Sequence, residues 1–201
     1  MCDPTPIYRV PATYPEMGGD QRDAAAHEAG HTIVALSFGS RLVGVRIGDY
    51  PMCCTIPPEA TRVSPLGTLI ELLAGSTCEG ILARRTFILS DRVKFEKIAQ
   101  ARAGGLRVCD RCREAKILIE NLADASDDDI CKAWEDAAHL TFILLRHHAF
   151  RRAARAMAIM LRRRGAIFGE EVSEIVDIPA LIAARDEVMK RELLGTLENL
   201  L

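Results

Sequence analysis

Apolar positions recur at helical spacing along most of the chain, with one interruption where they read as short strands. The run AAAHEAGHTIVALSF (24–38) predicts a first helix, with Asp20 or Asp23 able to cap its start and Gly39 closing it. RLVGVRI (41–47) and MCCTI (52–56) are β-rich and separated by the turn residues GDYP, so a small hairpin or edge strand is expected there. LGTLIELLAGSTCEGILARRTF (66–87) returns to helical spacing. DRVKFEKIAQARA (91–103) follows after a break at Ser90 and ends near Gly104 and Gly105. Four further helical patterns follow: CREAKILIENLA, DDDICKAWEDAAHLTFILLRH capped by Ser126, AFRRAARAMAIMLRRRG, and a final amphipathic stretch beyond Pro179. A short helix is expected to open at Gly169-Glu170-Glu171. No internal repeat is visible. Residues 1–19, with four prolines and a Gly-Gly pair, read as an extended N-terminal arm, leaving 20–201 as one domain.

Composition changes this picture little. With 201 residues, 49% of them hydrophobic and 27% charged, the chain can bury one core without disulfides. A net charge of -2 gives no general bias toward nucleic acid or an anionic membrane surface. No run approaches the roughly 20 uninterrupted apolar residues of a membrane span, and the N-terminus lacks a signal-peptide core. The expectation is a cytoplasmic protein without membrane insertion. Seven cysteines, an odd number, suit thiols in a reducing compartment better than a disulfide scaffold.

Chemistry is concentrated in His27-Glu28-Ala29-Gly30-His31. Two histidines four apart lie on one helix face and can converge on one ion, with Glu28 beside them as general base. Zinc in such sites takes three protein ligands and a water. The helix is too apolar around this motif for a solvated surface element, which points the histidines into a cleft. Residue types alone leave the third ligand open among Glu71, Glu79, Asp91 and Glu96. Ser90 and Asp91 also stand where a helix cap belongs.

The chain resembles the peptidase domain of the membrane-anchored AAA proteases, peptidase family M41. That family has HEAGH, then a helix reading like LAGRAAEEL, then SNDLxxATxIAR. Here LAGSTCEGIL stands at 73–82 and SDRVKFEKIAQ at 90–100, with Asp91 seven residues before Ile98 as in the family motif. The resemblance implies His27, His31 and Asp91 as ligands of one Zn2+ per chain, Glu28 as catalytic base, and Glu79 as partner of a ligand histidine. It spans roughly 20–178, leaving 179–201 as a C-terminal helix beyond it. Departures are Ser76 for an arginine, Gly80 for the second glutamate, Phe95-Glu96 for Ala-Thr, and the loop ARAGGLRVCDRC.

The expected architecture is therefore a mainly helical, zincin-like metallopeptidase domain with a small β-hairpin or edge strand. The expected activity is a zinc-dependent metalloendopeptidase. No Gly-x-x-x-x-Gly-Lys-Ser/Thr loop occurs in these residues, so substrates would be peptides or unfolded chains, taken unaided or from a separate unfoldase. The alternative is a weak or inactive relative serving as a binding or regulatory module. RLVGVRI is the candidate edge for an extended substrate, or simply a structural strand. Cys109-x-x-Cys112 has the spacing of half a zinc knuckle or a redox pair, and reads more simply as ordinary thiols. The arginines of 151–164 read as a solvated face, and the last helix leaves a homo-oligomer open.

Overall fold

The computed structural model describes residues 21–48, 51–56, 63–84, 90–105, 109–193 and 195–201. The proposed N-terminal arm lies outside them. The elements are α1 (Gln21–Ser37), β1 (Arg41–Arg46), β2 (Met52–Ile56), α2 (Pro65–Ala83), α3 (Asp91–Arg102) and α4 (Asp110–Asn121). Then come α5 (Asp127–Arg146), α6 (His148–Arg164), β3 (Ala166–Phe168), α7 (Val172–Ile175) and α8 (Ile178–Glu192), with a 3-10 segment at Gly195–Leu200. The protein is mainly helical with a small antiparallel sheet.

At the centre α1 lies against α2. Ala25, Ala29, Ile33 and Val34 on α1 and Leu66, Leu69, Ile70, Leu73 and Ala74 on α2 are almost wholly removed from solvent. Small residues set how near the two axes come. A Cβ on Gly30 would collide with the Ala74 carbonyl oxygen and lie 2.6 Å from Cys78 Cβ. The α2 helix is long and apolar enough to cross a membrane by length and composition alone. Its burial between α1, α4 and α5 accounts for that composition as core.

Helix ends follow local chemistry. Ser64 accepts from the Gly67 amide ahead of Pro65, and Ser126 and Asp129 form a reciprocal capping box at α5. Gly165 ends α6 in the left-handed region at φ 77, where a Cβ would be strained. Trp134 of α5, the helix that packs on α2, and Phe150 of α6, the helix that packs on α1, are both fully buried.

The sheet corrects one expectation. Its order is β2-β1-β3, with Val45 opposite both Cys53 and Ile167. The strand β1 is therefore central, and cannot offer a free edge along 44–46. Ala166–Phe168, just before the short helix expected at Gly169, supplies the extra strand because the turn at Gly165 returns the chain beside β1. Among the described residues β2 is paired on one side only.

Candidate metal centre

The centre is built where α1, α2 and the start of α4 meet. His27 and His31, one turn apart on α1, bring their rings into an edge-on arrangement with centroids 4.7 Å apart. His31 Nδ1 donates to the Glu71 carbonyl oxygen at 2.7 Å, which fixes the neutral tautomer whose Nε2 carries the free lone pair. His27 Nδ1 lies 3.4 Å from Glu79 Oε2, so a carboxylate stands behind the second ring. Both Nε2 atoms face inward.

The third group is Asp110. Its Oδ2 lies 3.4 Å from His27 Nε2 and 3.4 Å from His31 Nε2, and the three atoms fall within 4.8 Å of one another. Ligand atoms about 2.0–2.1 Å from a tetrahedral ion stand about 3.3–3.4 Å apart, so the two separations from Asp110 match the edge of a zinc tetrahedron. The donor set, two imidazoles and a carboxylate, is one that zinc accepts. Backbone makes room for it: a Cβ on Gly75 of α2 would sit 2.6 Å from His27 Nε2 and closer still to His31 Nε2. Any other residue at 75 would fill the place where the donors converge.

Electrostatics favour positive charge at that point. Burial opposes protonation of His27, but hydrogen bonds to Asp110 and Glu79 and the field of Glu28 outweigh it and raise its pKa to about 10. His31 is raised too: burial opposes its protonation, and contact with Asp110 overcomes it. Asp110 shows the reverse: burial favours its neutral form, yet the two imidazoles hold it far below the ordinary carboxylate range. A cation between these groups fills the role that shared protons otherwise take.

Glu28 is buried on the same helix, at 7% exposure, and burial raises its pKa against the fields of His31 and His27. Thr32, one residue beyond the second histidine, donates to the Glu28 carbonyl oxygen and lies 3.3 Å from Cys53 Sγ. That contact seats β2 beside the motif.

Asp110 is held by a network of its own helix. Arg111 donates to Ser76 on α2 at 2.6 Å and to the fully buried Glu114 at 2.8 and 3.1 Å, while Trp134 Nε1 donates to Glu114 at 2.9 Å. One carboxylate thus ties α4 to α5 directly and to α2 through Arg111. Ser76, which replaces an arginine of the resembled family, is the acceptor for an arginine arriving from α4.

The structure places Asp91 elsewhere. Its side chain is 77% exposed at the first turn of α3 and pairs with Lys94 at 2.8 Å, which also bonds Glu135 and holds Asp91 below its ordinary pKa. The structure does not bring it to the histidines. Glu96 is exposed on α3, and Glu71 contributes its carbonyl rather than its carboxylate. A signal for Asp110 was present: it stands seven residues before Ile117, the same spacing as Asp91 before Ile98. It lies inside the segment ARAGGLRVCDRC, which differs from the pattern of the resembled family. Compared with protein-family models and with curated proteins, the sequence matches none.

Proposed function

We propose that the chain is a zinc-dependent metallopeptidase acting on peptides or unfolded protein segments. The observation that carries this reading is the approach of Asp110 Oδ2 to 3.4 Å from both Nε2 atoms of His27-Glu28-x-x-His31, with Glu28 buried beside them. His27, His31 and Asp110 would hold the ion. Zinc bound there supplies Lewis acidity, polarising a carbonyl and making a water more acidic.

The protein's own groups do the rest. The Glu71 carbonyl and Glu79 carboxylate fix the two rings so that each presents Nε2. Glu28 takes a proton from the attacking water and returns it to the leaving amine, a role suited to a carboxylate whose pKa burial raises. The side of β2 that is unpaired among the described residues offers main-chain groups to an extended substrate, beside the helix that carries the base.

Elemental analysis and cleavage of an unfolded protein such as casein test this together. Wild type is expected to hold about one zinc per chain. Glu28→Gln keeps the zinc and loses cleavage by about a thousandfold, because the ligands remain while the proton acceptor is gone. A wild type that takes up no zinc after reconstitution, or a Glu28→Gln protein that cleaves as fast as wild type, would end the proposal.

A further inference from the structure

Cys109 and Cys112 flank Asp110 at the start of α4, as its N-cap residue and the third residue inside. Residues three apart at a helix start share one face, and their sulfurs stand 3.1 Å from each other. Cys112 is buried, with Lys97 Nζ 3.7 Å from its sulfur, whereas Cys109 is only partly covered. The other described thiols differ: Cys78 and Cys131 are buried in the core, and the neighbours Cys53 and Cys54 point to opposite faces of β2.

We propose that Cys109 and Cys112 form a thiol–disulfide site that closes by exchange with a small-molecule disulfide, and that closure weakens metal binding through Asp110. The second half rests on the metal reading above. In the first step the Cys109 sulfur attacks one sulfur of the reagent, releasing one thiol and leaving a mixed disulfide. The Cys112 sulfur then attacks Cys109, breaking the mixed bond and releasing the second thiol. The protein loses two hydrogens, and the reagent gains them as two thiols.

Geometry makes this closure local. A disulfide has its sulfurs about 2.05 Å apart, so the pair must approach by about 1 Å, which a helix N-terminus accommodates without unwinding. Asp110 lies within the ring that closes. A ligand set tolerates displacements of only about 0.5 Å, so a shift of that size at the first turn carries Asp110 Oδ2 off its position between the imidazoles. The expected consequence is a fall in zinc affinity of about tenfold.

The test treats the full chain with oxidised glutathione, maps the thiols by peptide mass, and measures zinc affinity in competition with a chromogenic chelator. A 109–112 disulfide that dithiothreitol reverses, with the tenfold loss of zinc affinity in wild type but not in Cys109→Ser or Cys112→Ala, is the predicted result. Absence of that disulfide, or a mixed disulfide persisting on Cys109, overturns the proposal. A 109–112 disulfide that leaves zinc affinity unchanged overturns the coupling. If the reduced protein takes up no zinc, the metal reading fails by itself, and the peptide masses still decide whether the pair closes.

Discussion

Two helix starts in this protein carry nearly the same local chemistry and have opposite surroundings. At α3, Ser90-Asp91 precedes Ile98; at α4, Cys109-Asp110 precedes Ile117 at the same separation. Each aspartate is the first residue of its helix, where a carboxylate is favoured by the backbone amides. Neither N-cap side chain bonds the first turn. Yet Asp91 faces solvent and Lys94, while Asp110 is drawn against two imidazoles. What separates them is a basic side chain near each helix start: Arg111 reaches Ser76 on α2, whereas Lys94 of α3 turns to Glu135 of α5. The difference between an aspartate at the surface and one set against the histidines is made by tertiary contacts of neighbouring side chains.

The largest expected effect follows from exchanging the fates of these two residues. Asp110→Ala should lower zinc affinity by more than about a hundredfold, whereas Asp91→Ala should leave it within about twofold, both read by competition with a chromogenic chelator. Equal losses in the two variants would mean that the two starts are not distinct in solution. Next in size is Gly75→Ala. The added methyl meets both Nε2 atoms, so overpacking should cost about 1–3 kcal/mol in urea unfolding together with loss of stoichiometric zinc. A Gly75→Ala protein with full zinc content would show that the donors converge elsewhere.

Much of this was legible in the sequence. The helical spacing located the α-helices, Ser126 announced the start of α5, and His27, Glu28 and His31 stood out because a period of 3.6 places residues four apart on one face. Asp110 did not, because it comes from 79 residues beyond His31 and its approach depends on Glu114, Trp134 and Ser76, which no local pattern ties together. The strand β3 escaped for a similar reason: three residues are too few for a period, and only pairing with β1 makes Ala166–Phe168 a strand.

The network behind Asp110 gives the third prediction. Glu114 is fully buried and accepts from both Arg111 and Trp134, so Glu114→Gln removes the charge that Arg111 faces while keeping the shape. Loss of one member of a buried pair is costly, but Arg111 is partly solvated, which brings the expected destabilisation to about 2 kcal/mol. Zinc affinity should fall about tenfold, as for other groups that orient a ligand from behind. Unchanged affinity in a destabilised Glu114→Gln protein would separate the packing of α4 from the placement of Asp110.

Lys94→Met is the counterpart on the other helix start, and the smallest effect. Lys94 is buried along its stem at 3% exposure, with its ammonium shared between Asp91 and Glu135, both of which face water. Methionine retains most of the packed stem and gives up ion pairs whose acidic partners water can solvate, so the loss in urea unfolding should be about 0.5–1 kcal/mol. Zinc affinity should not change, because the ion pairs of Lys94 run to Asp91 and Glu135 and not to Asp110. Were it to fall in step with Glu114→Gln, α3 and α4 would have to move as one unit. The separation drawn between the two aspartates would then lie in a single rigid layer, and not in the side chains that follow each of them.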